Sequence, residues 1–430
     1  MRLLHWPLLV MLGGALPSHG LPEGPGPEPA PPPATRPLAR EGITPPPTCT
    51  RTSGLVLPEG FCAIVVASRV GPVRQVAIAP NGDLYASVEG GGGGVVALRD
   101  TDGDGQADLR RRFGDEGGTG IALQRGALWF ASNRRVLRWP LREGTLEPQG
   151  EPTVVVDGLP TGGHGAKSFA FLGGDSLIVN IGSRSNSCQE QDRAYRSPGR
   201  DPCPELETRA GLWLFSTRRL GQRQEDGVRF ATGLRNALAL GVDPRTGALY
   251  AAPHGRDQLG ANWGFSDSQN AELPAEELVR VGFGDDFGWP YCYYDHLQGK
   301  KVLAPEYGGD GKTVGRCAGK KNPVLAFPGH WGPMDIEFYT GTQFPERYRG
   351  GAFIAFHGSW NRAPLPQAGY RVVFVPFAGG RPTGAYETFA TGAGGPTDLR
   401  ASGLALGPDG SLYIVADDNQ TIWRVMFAGT

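Results

Sequence analysis

Leu404-Ala-Leu-Gly-Pro-Asp-Gly-Ser-Leu-Tyr413 is the stretch on which the fold turns. Apolar residues run into a Gly-Pro-Asp-Gly turn and out into a second β-rich run, which is the chemistry of a tight β-hairpin. The pattern also stands at Val76-Ala-Ile-Ala-Pro-Asn-Gly-Asp-Leu-Tyr85 and at Ile121-Ala-Leu-Gln-Arg-Gly-Ala-Leu-Trp-Phe130. It returns at Phe169-Ala-Phe-Leu-Gly-Gly-Asp-Ser-Leu-Ile178 and at Leu238-Ala-Leu-Gly-Val-Asp-Pro-Arg-Thr-Gly-Ala-Leu-Tyr250. A looser version begins at Ile336-Glu-Phe-Tyr and resumes at Gly351-Ala-Phe-Ile-Ala-Phe356. Six such hairpins, with further strands between them, predict an all-β chain folded as a six-bladed β-propeller of four-stranded antiparallel blades. A β-sandwich leaves the recurrence unexplained. The uneven spacing puts long insertions in the middle blades, and loops carry function more often than blades do.

The composition agrees. The chain has 430 residues, 67 of them Gly and 38 Pro, with no Gly-X-Y period, so it is not collagen-like. Its 42 basic and 43 acidic side chains nearly cancel, which gives no electrostatic footprint for nucleic acid or an anionic membrane. A hydrophobic content of 39% is enough to build a core.

Met1-Arg2 and the apolar run Leu3 to Leu16 read as a secretory signal peptide over residues 1–20, too short to span a bilayer. Residues 21–47 are rich in Pro, Gly, Ala and Glu and read as a linker without a core of its own, ahead of a propeller over 48–430. An exported chain, periplasmic or extracellular, with six cysteines suggests disulfides. The cysteines fall in three sequence-near couples, and proximity pairs them as Cys49–Cys62, Cys188–Cys203 and Cys292–Cys317.

Several polar clusters sit at hairpin edges. Asp100-Thr-Asp102-Gly-Asp104-Gly-Gln106-Ala-Asp108 offers hard oxygen ligands at alternate positions of a tight loop, as Ca²⁺ prefers, with the Gln106 carbonyl among them. Arg111 stands where an EF-hand has its closing Glu, so the expectation is a structural calcium loop or a merely acidic turn. His164, in Thr161-Gly-Gly-His164-Gly-Ala-Lys167, is placed as a general base, with Lys167 expected to depress its pKa. Arg235-Asn236 can hold a carboxylate or a developing oxyanion. His254-Gly255-Arg256-Asp257, Phe356-His-Gly-Ser-Trp-Asn-Arg362 and Asp398-Leu-Arg400 complete the set. Radial blades would gather these loops on one face.

With Gly233-Leu-Arg-Asn236, Phe287-Gly-Trp-Pro-Tyr-Cys292 and the Tyr348–Arg362 run in view, the chain resembles the soluble quinoprotein glucose/sorbosone dehydrogenases. The sorbosone dehydrogenase-like branch is the nearest, and the likeness covers roughly residues 52 to 428. That family binds pyrroloquinoline quinone (PQQ) and Ca²⁺ on one face of a six-bladed propeller and oxidises a sugar. The resemblance implies His164 as the base and Arg235 and Asn236 on the quinone. It implies the carbonyls of Gly255 and Arg256 on the active-site Ca²⁺, and Arg362 and Arg400 on the cofactor. Electrons would pass to an acceptor that the sequence does not name. Two departures stand out: Gly163 replaces an Asp that precedes the base in the glucose enzymes, and Ser402 replaces the second of two last-blade arginines. A blade-five lysine of the family appears here as Arg. The expected function is a PQQ- and Ca²⁺-dependent dehydrogenase acting on a sugar or sugar aldehyde. The alternatives are a non-catalytic propeller that binds a carbohydrate or a protein partner and, more remotely, a metal-dependent lactonase.

Overall fold

The computed structural model describes Cys49, residues 53–90 and residues 92–429, so the expected signal peptide and linker lie outside the described residues. Each repeated hairpin forms the two inner strands of a blade. The first blade is Val73–Ile78, Leu84–Val88, Gly94–Arg99 and Leu109–Phe113, antiparallel throughout. The second runs from Gly118–Gln124 to Thr153–Val156 and the third from Phe169–Phe171 to Val228–Thr232. The fourth spans Ala239–Val242 to Leu325–Phe327 and the fifth Pro333–Phe338 to Glu387–Gly392.

The sixth blade closes the ring. Ala401–Leu406, Leu412–Ala416 and Thr421–Phe427 take their fourth strand, Phe61–Ala67, from the other end of the chain. Just before it, Leu55–Val56 pairs with the outer edge of blade five, so this short segment ties two neighbouring blades. All three cysteine pairs form as proximity suggested, and the first fastens Cys49 to Cys62 on the closing strand.

Apolar residues on both faces of each blade pack against the next one, giving six inter-blade layers around the ring. In the layer between blades five and six, Phe61 meets the rings of Phe344, Tyr348 and Phe389 edge-on at 4.8 to 5.4 Å. Truncating a ring so placed costs about 3–5 kcal/mol. The closing strand is therefore held by side-chain packing as well as by its ladder.

Strand alternation then sorts the loops. The turn inside each inner hairpin lies at one end of the ring. The connection from second to third strand, and the connection to the next blade, lie at the other. His164, Arg235, His330 and Arg400 are on blade-to-blade connections, while Asn186, His254, His357 and Asp417 follow second strands. Topology alone brings all eight to one face. The Asp100–Asp108 loop joins third and fourth strands and lies at the opposite end. The long segment after Val281 starts at that far end too. Its residues Asp285–Asp286 add in parallel to the outer strand of blade three and carry the chain back.

Candidate active site

A cavity of about 610 Å³ opens at that face. Four of the chain's seven histidines line it, His164, His254, His330 and His357, together with Arg235, Arg400, Asp257 and Glu276.

His164 is fixed by main chain. Its N–H donates to the Ser183 carbonyl at 2.9 Å, and its ring Nδ1 lies 3.0 Å from that same carbonyl oxygen. A carbonyl only accepts, so Nδ1 carries the proton and Nε2 keeps a lone pair. The Ser183 hydroxyl, also 3.0 Å from Nδ1, spends its own proton on the Ser185 carbonyl. Burial, and after it the positive charge of Arg235, lowers the His164 imidazole to about 3. Lys167, expected from the sequence to exert that effect, instead spends its ammonium on the carbonyls of Pro160 and Gly165. The neutral imidazole favours folding at pH values above 6.5, and that contribution is lost as pH falls toward 3. NMR of histidine-labelled apoprotein should therefore show His164 without an inflection between pH 7 and about 5. An inflection near 6.5 would refute this arrangement.

Gly163 also changes meaning. Its φ is 56°, and a Cβ there would lie 2.2 Å from the Arg184 carbonyl oxygen and 2.5 Å from the Arg184 Cα. Backbone on backbone cannot give way, so the position admits no side chain. The orienting acceptor expected from an Asp is supplied by the Ser183 carbonyl. Gly163→Asp should destabilise the protein by about 1–3 kcal/mol and lower activity, not raise it. A gain in turnover at unchanged melting temperature would contradict this.

Arg235, 5% exposed, spends its donors in four directions. Nε donates to the Asn186 carbonyl at 3.1 Å and Nη1 to the Gly255 carbonyl at 2.8 Å. Nη2 reaches Asn186 Oδ1 at 3.0 Å and Asp257 Oδ2 at 2.9 Å. Arg193, from the insertion of blade three, grips the same Asp257 oxygen at 2.8 Å. Burial would push the Asp257 carboxyl up, but Arg235 and Arg193 together hold it well below the usual range. Asn236 sits behind the wall: its Oδ1 accepts from Asn180 at 3.1 Å and its carbonyl accepts the His254 N–H. Gly255 lines the cavity, whereas the Arg256 side chain turns away to Glu306.

Arg362 and Ser402 are not on the cavity wall. The Arg362 guanidinium donates to Ala271 O, Gly329 O and Pro366 O and pairs with Glu272 at 2.7 Å, bracing the wall from behind. Ser402 is buried, with Oγ donating to the Val73 carbonyl at 2.9 Å. Arg400 does reach the cavity, where it meets His357 Nε2 and lies 3.4 Å from Asp417. At the far end of the ring, carboxylate oxygens of Asp100, Asp102 and Asp108 gather within 4.8 Å of one another. Asp104 there accepts from Gln106, through its backbone N–H at 2.7 Å and its side chain at 3.1 Å.

Glu276, His330 and Asp417 carry no role that the sequence signals, and His254, Asp257 and His357 stand out there only within clusters. Glu276 accepts the N–H groups of Gly255 and Gly332 at 3.0 and 3.2 Å, and burial raises its carboxyl to about 7. His254 Nε2 donates to the Pro333 carbonyl at 2.8 Å, and burial lowers its imidazole to about 4. The available signal was the concentration of histidine at blade edges.

A propeller face with an oriented imidazole among guanidiniums has groups that can take up a proton and hold an anionic or polar ligand. The chain belongs to the TrAA12-like family, matched over residues 55–427. It is 27% identical over 209 residues to the pyrroloquinoline quinone-dependent pyranose dehydrogenase of Coprinopsis cinerea, covering 42% of this chain and 27% of that protein. An uncharacterized protein of Borreliella burgdorferi is 28% identical over 264 residues, 59% of this chain and 58% of the relative. The chain thus spans less than two thirds of these relatives' length. Among solved structures, the calcium structure of the Trichoderma reesei enzyme of carbohydrate-active family AA12 superposes with a TM-score of 0.73 at 21% identity, over 87% of this chain and 97% of that one. The holo PQQ domain of the Coprinopsis cinerea pyranose dehydrogenase gives 0.71 at 19% identity, over 89% and 98%. These likenesses establish the six-bladed fold.

Proposed function

We propose that this protein is an exported quinoprotein oxidoreductase that oxidises a sugar or sugar aldehyde, with PQQ and Ca²⁺ held in the cavity and His164 as general base. The observation that carries the reading is His164 itself, half-buried, its Nδ1–H on the Ser183 carbonyl, its imidazole held neutral by desolvation, with no hydrogen-bond partner for Nε2 among the described residues. Family membership adds weight, and the sorbosone-like character of the Tyr348–Arg362 run stays part of the proposal. Three disulfides agree with an oxidising compartment.

The donor set fits an anionic quinone. Asp257 is already matched by two arginines and burial raises the Glu276 carboxyl to about 7, so its charge is only partly present near neutral pH while Arg235 and Arg400 keep theirs at the cavity. Arg400 lines the cavity with its Nε turned to Asp417 at 3.4 Å, and its guanidinium would be the group to meet a ligand carboxylate. For the cation, the cavity offers the carboxylates of Asp257 and Glu276 and the Gly255 carbonyl, which accepts from Arg235, with the Arg256 carbonyl as the further proposed ligand. Ca²⁺ takes six to eight oxygens, so it fits here only together with an oxygen-rich ligand. In the same proposal the Asp100–Asp108 loop holds a second, structural Ca²⁺.

When bound, the quinone supplies the hydride acceptor. His164 takes the proton of the sugar hydroxyl at Nε2, and its Nδ1–H bond to Ser183 spreads the positive charge that results. Arg235, pinned by Asn186, Gly255 and Asp257, keeps one N–H, on Nη1, uncommitted, and would offer it together with its charge to an oxygen on which negative charge develops. Blade four, through His254, Gly255 and Asp257, and the segment of blade five from His357 to Tyr370 supply much of the cavity wall. Titrating the purified apoprotein with PQQ in the presence of CaCl₂ tests the cofactor assignment: saturable spectral change supports it, and no binding by a folded protein removes it.

A further inference from the structure

The loop that carries the base is built on a charge that the reaction does not use. Lys167 has no exposed surface, and among the described residues no acidic group pairs with it; burial, and after it the like charge of Arg209, lowers its ammonium to about 7. Burying an ammonium without a counter-ion is expensive, and such groups persist where their hydrogen bonds are needed. Here Nζ donates to the Pro160 carbonyl at 2.9 Å and to the Gly165 carbonyl. The first acceptor lies before His164 in the chain and the second directly after it. The ammonium therefore joins the two ends of the segment whose middle bears the imidazole. From the solvent side Arg209 holds the intervening carbonyls of Thr161 and Gly162, the latter at 3.3 Å. Lys167's own carbonyl accepts the Gly120 N–H at 2.9 Å, which anchors the clamp to the inner strand of blade two.

We propose that Lys167 is a positioning residue for His164: by drawing Pro160 and Gly165 together it keeps the imidazole on the Ser183 carbonyl and Nε2 toward the cavity. The inference rests on reading His164 as the base. Lysine suits the task because its head group carries three donors and no acceptor, matching a nest of carbonyls that an apolar side chain would leave unpaired. A methionine fills similar space but ties nothing.

The test uses the full chain as Lys167→Met and Lys167→Arg, with His164→Ala alongside. In the apoprotein, Lys167→Met should bring the His164 resonance back toward ordinary titration near 6.5, because the loop loosens and admits water. After reconstitution with PQQ and CaCl₂, its kcat for an aldose should fall by about tenfold to a hundredfold, with KM and the PQQ dissociation constant within about twofold of the parent. Lys167→Arg keeps donors at the same place and should recover part of the loss. A His164 titration or a kcat equal to the parent's overturns the inference, and so does a loss of PQQ affinity as large as the loss of kcat. If His164→Ala itself turns over normally, the base assignment has failed instead, and the apoprotein titration still decides whether Lys167 orients the ring.

Discussion

His164→Ala binds PQQ as tightly as the parent and loses about 10²- to 10⁴-fold in turnover, the range spanned by loss of a positioned general base. The separation follows from what the ring touches. Its one main-chain bond goes to the Ser183 carbonyl, which keeps a partner after truncation because the His164 backbone N–H donates to the same oxygen. Nothing in the wall formed by Arg235, Arg400 and Gly255 leans on the imidazole. Binding and chemistry are therefore separable at this residue. Removing a neutral side chain from beside Arg235 also leaves the cavity's positive charge in place. Turnover within a few-fold of the parent would take His164 out of the mechanism.

The second large effect concerns stability. Arg256 and Glu306 form an ion pair whose side chains are 2% and 0% exposed, with Nη1 at 2.5 and 2.6 Å from the two carboxylate oxygens. Glu306 also accepts from Ser187 Oγ and Trp263 Nε1, both at 2.9 Å, so one carboxylate fastens the insertions of blades three and four together. Arg256→Met strands that carboxylate in the interior, at a cost of about 3–5 kcal/mol. Urea or thermal unfolding should show the loss, and PQQ affinity should fall with it, since residues 255–257 carry the Gly255 carbonyl and Asp257. The double variant Arg256→Met/Glu306→Gln leaves no unpaired charge and should regain a large share. A single variant less than about 1 kcal/mol below the parent would mean that water reaches this pair.

What was legible in the sequence is what short-range chemistry encodes. Five of the hairpins could be read because each packs its turn and both inner strands into ten to thirteen residues, while the fifth-blade copy, spread over 336–356, repeats the pattern loosely. The disulfides could be read because each couple is close in sequence. His164, Arg235 and Arg400 could be placed because topology sends blade-to-blade connections to one face. The supporting contacts were not legible, since they cross long stretches of chain: Asn186 meets Arg235 across 49 residues, and Glu306 meets Arg256 across 50. Main-chain partners leave no trace in a sequence at all. Gly163 reads as the loss of an orienting carboxylate, while the structure assigns that task to the Ser183 carbonyl and shows the glycine to be sterically required. Arg362 reads as a ligand-facing cation for a similar reason: the carbonyls of Ala271 and Gly329 that occupy it carry no residue signature.

The central claim, that this cavity oxidises a sugar with a bound quinone, is tested most directly by mixing the PQQ- and Ca²⁺-loaded protein with a panel of aldoses and sorbosone under anaerobic conditions and following the quinone absorbance. The account predicts saturable bleaching to the reduced form with at least one sugar, and none in His164→Ala at equal cofactor loading. Tight PQQ binding with no reduction by any sugar of the panel would contradict it and leave a propeller that binds without catalysing.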